Sequence, residues 1–237
     1  SAWVLDGRKG MVLHGDSADR LVVTARTGGE RRDRRGIGVF VVDATAQGVN
    51  RRGYRTVDGQ RAAEVELSGV RVEPDAMLGD PADGLPLVER VVDEAIAALA
   101  AEAVGAMEVV HHLTLDYLKT RQQFGRPIGS FQALQHRAAD MQVQLEQARS
   151  MAYFGAMSAE EPDPAERRKA MSAVKVQIGR SARFVGQQAI QLHGGIAMTT
   201  EYAAGHYFKR LTVNDGTFGD ADHHLRKLTE ASGALAA

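Results

Sequence analysis

LPLVERVVDEAIAALAAEAVGAMEVVHHLTLDYLKTR, residues 85–121, decides the fold. Leu87, Val88, Val91, Val92, Ile96, Leu99, Val104, Met107, Val110 and Leu118 recur at steps of about three and four residues, so a single long helix with a continuous apolar stripe is expected up to Arg121. Two more long helices follow with the same period. One has Ser130 as its expected N-cap and carries Phe131, Leu134, Met141, Leu145, Met151 and Phe154 on its buried face. The other opens on Asp163-Pro164-Ala165-Glu166, a cap, a proline suited to the first helical position and a glutamate placed to close a capping box, and stops at Gly194-Gly195. Shorter helices are expected over 200–211 and 220–232. Long amphipathic helices on short connections make an antiparallel bundle.

Upstream of about residue 78 the texture changes to short β-branched runs separated by Asp, Gly and Asn: Trp3-Val4-Leu5, Met11-Val12-Leu13, Leu21-Val22-Val23-Thr24 and Ile37-Gly38-Val39-Phe40-Val41-Val42. Asp6-Gly7 gives the strongest hairpin signal, since a tight primed turn needs positive φ. Residues 28–36 hold four arginines and glycine-rich ends, but Glu30 and Asp33 interrupt them and no aromatic interleaves them, which makes the segment a solvated hairpin loop. A further strand pair is expected over 63–67 and 70–72. The chain is therefore α+β: an antiparallel β-domain over residues 1–80, then a helical bundle domain over residues 85–237, divided at the Gly and Pro cluster of 79–84.

With 29 Lys+Arg against 30 Asp+Glu in 237 residues, nothing marks a nucleic-acid surface. Cysteine is absent, which removes disulfide scaffolds, thiol catalysis and cysteine-bound metals, and fits a cytoplasmic location. Glu102 and Glu108 interrupt the most apolar stretch, so no membrane insertion is expected.

The chemistry sits in three motifs: Arg121-Gln122-Gln123-Phe124-Gly125-Arg126-Pro127-Ile128-Gly129 with Phe131-Gln132, then Gln191-Leu192-His193-Gly194-Gly195, then Thr200-Glu201-Tyr202. Singly, the first reads as a helix end with a capping glycine and the second as a glycine stop after a helix. Their order, the eleven-residue step from Arg121 to Gln132 and the bundle around them resemble the C-terminal domain of the acyl-CoA dehydrogenase family. Residues 3–85, with Asp58-Gly59-Gln60-Arg61 and Val70-Arg71-Val72-Glu73-Pro74, resemble the latter part of that family's middle β-domain. The family's N-terminal helical domain and first β-strands have no counterpart here, so the β-domain is expected to be partial and the chain a fragment.

The resemblance implies an FAD-dependent oxidoreductase that turns an acyl-CoA thioester into a trans-2-enoyl-CoA, works as an oligomer and passes electrons to electron-transfer flavoprotein. It assigns cofactor binding to Arg121, Gln123, Phe124, Phe131, Gln132, Gln191, Gly194 and Gly195, which clasp the FAD of a neighbouring subunit. The residue types suit that role. A guanidinium holds pyrophosphate through paired charged hydrogen bonds, Gln132 and Gln191 offer donors and acceptors, and paired glycines admit close backbone approach to phosphate.

The catalytic base departs from the pattern. Counted without gaps from Gly195, the family's Glu position holds Phe218, and only a three-residue deletion brings Asp215 to it. The other location used in the family falls on Ala95, with Glu94 turned about 100° away around the helix. Residues that ordinarily touch the flavin become Met11, Leu13, Asp220 and Asp222. These departures resemble the small, partner subunit of heteromeric bacterial acyl-CoA dehydrogenases of the pimeloyl-CoA and steroid side-chain type, in which one subunit keeps the base and the other lends the clasp. A self-sufficient homomer using Asp215 and an inactive scaffold are the alternatives. A helical metal protein built on His111, His112, Asp220, Asp222, His223 and His224 is disfavoured, because adjacent histidines point apart on a helix; no metal site is expected.

Overall fold

The structure, a computed structural model, describes residues 2–233; Ser1 and residues 234–237, the outermost positions of the two expected domains, lie outside them. The chain divides into two units, Ser1–Val91 and Val92–Ala237. The division falls inside the first long helix rather than in the 79–84 loop. Glu89 pairs with Arg34 at 2.6 Å and Gly84 N donates to Ile37 O at 2.7 Å, so the first helical turns belong with the strands.

In the first unit β1 (Trp3–Leu13), β2 (Arg20–Arg26), β3 (Ile37–Asp43), β4 (Val49–Arg55), β5 (Arg61–Val72) and β6 (Met77–Leu78) form, among the described residues, two antiparallel sheets ordered β1-β5-β4 and β2-β3-β6. Their inward faces bury Leu5, Leu21, Val23, Phe40, Val65, Leu67 and Val70 in one apolar cluster. Asp6-Gly7 does not turn the chain: it lies within β1, opposite an extra residue on β5, since Leu5 pairs with Val70 but Gly7 with Leu67. Asp6 Oδ1 accepts from Gly69 N at 2.7 Å and fixes this bulge. The bulge also explains why 61–72 reads as two strands. It moves the buried set from Ala63, Val65 and Leu67 to Val70 and Val72, a change of phase within one strand. Strand β4, VNRRGYR, is an edge strand with no buried residue, so it carries no apolar alternation to reveal it. Residues 28–36 do connect β2 to β3, and the Arg26 guanidinium organises them by donating to the carbonyls of Gly28, Arg31, Asp33 and Arg35 at 3.0–3.2 Å.

The helices are α1 (Leu85–Thr120), α2 (Gln132–Ser158), α3 (Pro164–His193), α4 (Ala203–Gly216) and α5 (Ala221–Ala231), with a two-residue-strand hairpin, β7 (Gln122–Gln123) and β8 (Arg126–Pro127), between α1 and α2. Cross-helix contacts give the directions. Arg137, Gln144 and Gln147 of α2 meet Gln188, Ser181 and Gln177 of α3, so those two run antiparallel. Glu102 and Leu99 of α1 meet Arg210 and Asn214 of α4, another antiparallel pair. The shared core is Ile96, Met107, Val110, Met141, Leu145, Val174, Ile178, Val185 and Leu211. By length and composition alone α1 could cross a membrane, more than Glu102 and Glu108 suggest. Its buried Asp93, His111 and Thr114 and its packed stripe belong to the core helix of this unit.

Two caps differ from expectation. Ser130 belongs to a 3-10 turn and donates to Pro127 O at 2.8 Å, while Phe131 takes the N-cap position of α2 without a side-chain bond. Asp163 does cap α3, accepting from Ala165 N at 2.7 Å and Glu166 N at 3.4 Å. The box is not closed by Glu166, because Asp163 N–H donates to Glu161 Oε1 instead.

Candidate functional site

Where α1 ends, Arg121 N donates to Tyr117 O and Arg121 O accepts from Ile128 N, both at 2.8 Å, so the chain leaves the helix and returns as a hairpin. Gln123 faces Arg126 across it, and the two turn residues Phe124 and Gly125 both take positive φ, 55° and 76°. That is the geometry of a primed two-residue turn, in which a phenylalanine is strained. Phe124 is nonetheless 91% exposed. Its ring meets Phe131 edge-on at 5.9 Å, and the Arg126 guanidinium lies 4.1 Å from the Phe131 centroid.

At the end of α3, Gly194 takes φ 65° and donates its N–H to Ile190 O. Gly195 is different. It lies in a 3-10 turn (Gly194–Met198) with no positive φ, and a Cβ there would meet nothing within 4 Å. Neither conformation nor packing against the described residues calls for glycine at 195, and the space in front of its backbone is open.

The two helix ends face one cavity of ≈ 430 Å³. Arg121, Gln123, Gln191, Gly194 and Gly195 line it, together with Tyr117 and His193, which the motif reading passed over. Tyr117 stands one turn before Arg121, a spacing that puts it on the same helix face and was legible in the sequence. The Arg121 guanidinium and the Gln191 amide have no partner among the described residues. Phe124, Phe131 and Gln132 do not line the cavity: Phe124 is at the hairpin tip, Phe131 caps α2, and Gln132 is the exposed first residue of that helix. A cationic fork, two amides and an open Gly-Gly turn fit the pyrophosphate and polar edges of a dinucleotide such as FAD.

Asp215 lies elsewhere. It is 9% exposed at the end of α4, with Oδ2 accepting from Arg183 at 3.2 Å and Oδ1 buried without a hydrogen bond. Lys175, 2% exposed, donates to the carbonyls of Asn214 and Asp215 at 3.0 and 2.8 Å; burial lowers its pKa, opposed by the charges of Asp215 and Asp220. Phe218 sits in the α4–α5 turn at φ 60°, its carbonyl accepting from His224 Nε2 at 3.0 Å, and His224 Nδ1 accepts from Ser172 Oγ at 3.1 Å. Burial pushes the His224 pKa down to about 4. His111 is equally buried, its Nε2 donating to Ala138 O at 3.3 Å. Ala95 is half-buried on α1, Glu94 is exposed beside it, and Asp93 is held by Arg167 at 3.1 Å. Among the described residues no three His, Asp or Glu side chains are grouped to hold a metal.

The sequence profile described as Acyl-CoA dehydrogenase, C-terminal domain, matches residues 82–232. The chain belongs to the acyl-CoA dehydrogenase family. It is 31% identical over 224 residues to the probable acyl-CoA dehydrogenase YngJ of Bacillus subtilis (strain 168), covering 91% of this chain and 58% of that protein. It is 44% identical over 120 residues to the acyl-CoA dehydrogenase IpdE2 of Mycobacterium tuberculosis, covering 51% of this chain and 36% of that one. Among solved structures, the Tcur3481-Tcur3483 steroid ACAD superposes with a TM-score of 0.84 at 32% identity, over 99% of this chain and 61% of its own. The chain thus spans a little more than half the length of the relatives that match nearly all of it.

Proposed function

We propose that this chain is a subunit of an FAD-dependent acyl-CoA dehydrogenase and supplies the cofactor clasp, while a homologous partner subunit supplies the catalytic base. The observation that carries this reading is a pairing: five residues assigned to the clasp line one cavity, whereas counting without gaps from Gly195 puts Phe218 at the family's base position. When bound, FAD supplies the hydride acceptor for α,β-dehydrogenation of a CoA thioester. This chain's part is to bind and orient. Arg121 neutralises the pyrophosphate, Gln123 and Gln191 hold polar edges, and Gly194-Gly195, with no side chains in the way, let the backbone lie close to the anion. The hairpin tip offers Phe124 to the same cofactor from outside the cavity. The double name of the steroid ACAD fits a two-component assembly. Electron-transfer flavoprotein is the electron acceptor that the family resemblance implies.

Asp215 supports the homomeric alternative poorly, because its carboxylate is buried and ion-paired, and a base must come within about 3 Å of the substrate proton. The test is anaerobic flavin reduction by a saturated acyl-CoA, comparing the full-length subunit alone, its Asp215→Asn variant and the complex with its partner. Reduction in the complex alone is expected. Reduction by the isolated subunit, abolished by Asp215→Asn, would make Asp215 the base and end the partner reading.

A further inference from the structure

Tyr117 lies one turn before Arg121 and its carbonyl accepts the Arg121 N–H at 2.8 Å, which ties the last turn of α1 to the tyrosine. His193, 3% exposed, is the last residue of α3 and directly precedes Gly194. The rings of Tyr117 and His193 are 4.8 Å apart at 36°, those of His193 and Tyr202 are 4.9 Å apart, and Tyr117 meets Tyr202 edge-on at 6.3 Å. The hydrogen bonds fix the imidazole as well. Its Nδ1 is 2.8 Å from Ala189 O, a carbonyl that can only accept, so Nδ1 carries the proton. Nε2 then accepts from the Tyr202 hydroxyl at 3.1 Å. Burial raises the Tyr202 pKa, which keeps that hydroxyl a donor.

We infer that Tyr117, His193 and Tyr202 are positioning residues of the clasp, an aromatic bridge that holds the Arg121 end of α1 at a fixed distance from the Gly194-Gly195 turn. The inference rests on the clasp reading given above. Its physical basis is that the two halves of the cavity come from helix ends 73 positions apart in the chain, counting Arg121 to Gly194, and helix ends fray unless something ties them. Tyr117 and His193 line the cavity themselves, and Tyr202 stands behind His193 at the N-cap of α4. A dinucleotide bridging Arg121 and the Gly-Gly turn is sensitive to their separation, because misplacing one group weakens both.

The experiment uses the full-length protein in complex with its partner and reads two quantities, the rate of FAD dissociation and the midpoint of helix unfolding by circular dichroism. Tyr202→Phe removes the hydroxyl and keeps the ring; it is expected to release FAD about tenfold faster with the midpoint nearly unchanged. His193→Leu is expected to release it faster still, and His193→Gln, which keeps a donor and an acceptor, to recover part of the difference. Arg121→Ala in the same complex checks the clasp separately. If Arg121→Ala leaves FAD release unchanged, the clasp reading fails. If Arg121→Ala accelerates release but Tyr202→Phe and His193→Leu do not, the clasp stands and the positioning role is overturned. It is also overturned if release and midpoint move together in every variant and His193→Gln recovers nothing, since the rings would then act on stability alone.

Discussion

The Asp215 carboxylate lies against the α-carbon of Gly179, in the space a side chain at 179 would occupy. A Cβ at Gly179 would collide with Asp215 Oδ1 and come within 3.2 Å of the Ala221 Cβ. With Arg183 on its other oxygen and Lys175 on the neighbouring carbonyls, Asp215 anchors the end of α4 to α3.

Gly179→Ala should therefore destabilise the helical unit by about 1–3 kcal/mol, although alanine is the better helix former. The unfolding midpoint in urea measures it. Adding Asp215→Ala should recover much of the loss, because the clash goes with the carboxylate. Additive losses in the double variant would place the strain elsewhere.

Buried His224 contributes to the loss of stability in acid. Its folded pKa of about 4 lies below the ordinary histidine value near 6.5, so between these values the unfolded chain binds a proton that the folded chain does not. Stability should fall as pH drops from about 6.5 toward 4, by roughly 3 kcal/mol at most, and be unaffected by this group above pH 7. His224→Gln should flatten that part of the stability curve. A wild-type curve unchanged in slope after the substitution contradicts the assignment.

How much of this was legible in the sequence depends on where each signal lies. The helical period of α1, α2 and α3 was plain because each buries one stripe, and Asp163-Pro164 marked the start of α3 in the chain itself. The bulge at Ser68-Gly69 was not, because a phase change of one residue reads as a turn between two strands, and Asp6-Gly7 reads as a hairpin when its real partner, Gly69 N, is 63 residues away. The motifs named Arg121, Gln191 and Gly195, but not their convergence with Tyr117 and His193. That is set by helix packing, which periodicity does not encode.

Phe124 carries strain that the fold does not need. Asparagine tolerates the left-handed conformation better than phenylalanine, so Phe124→Asn should raise stability by about 0.5–1 kcal/mol. If the ring serves the cofactor, the same variant should lose FAD faster from the complex. A stabilised variant with unchanged FAD release would remove Phe124 from the clasp.

Gly195→Ala tests the central claim most directly, because nothing among the described residues requires glycine there: φ is not positive and a Cβ would have open space around it. The measurement is FAD content of the purified complex, by flavin absorbance per subunit, beside the unfolding midpoint. The clasp account predicts an unchanged or slightly higher midpoint and FAD affinity lowered at least about tenfold, as a methyl group enters the space used by the ligand. Full FAD retention at wild-type affinity would contradict it.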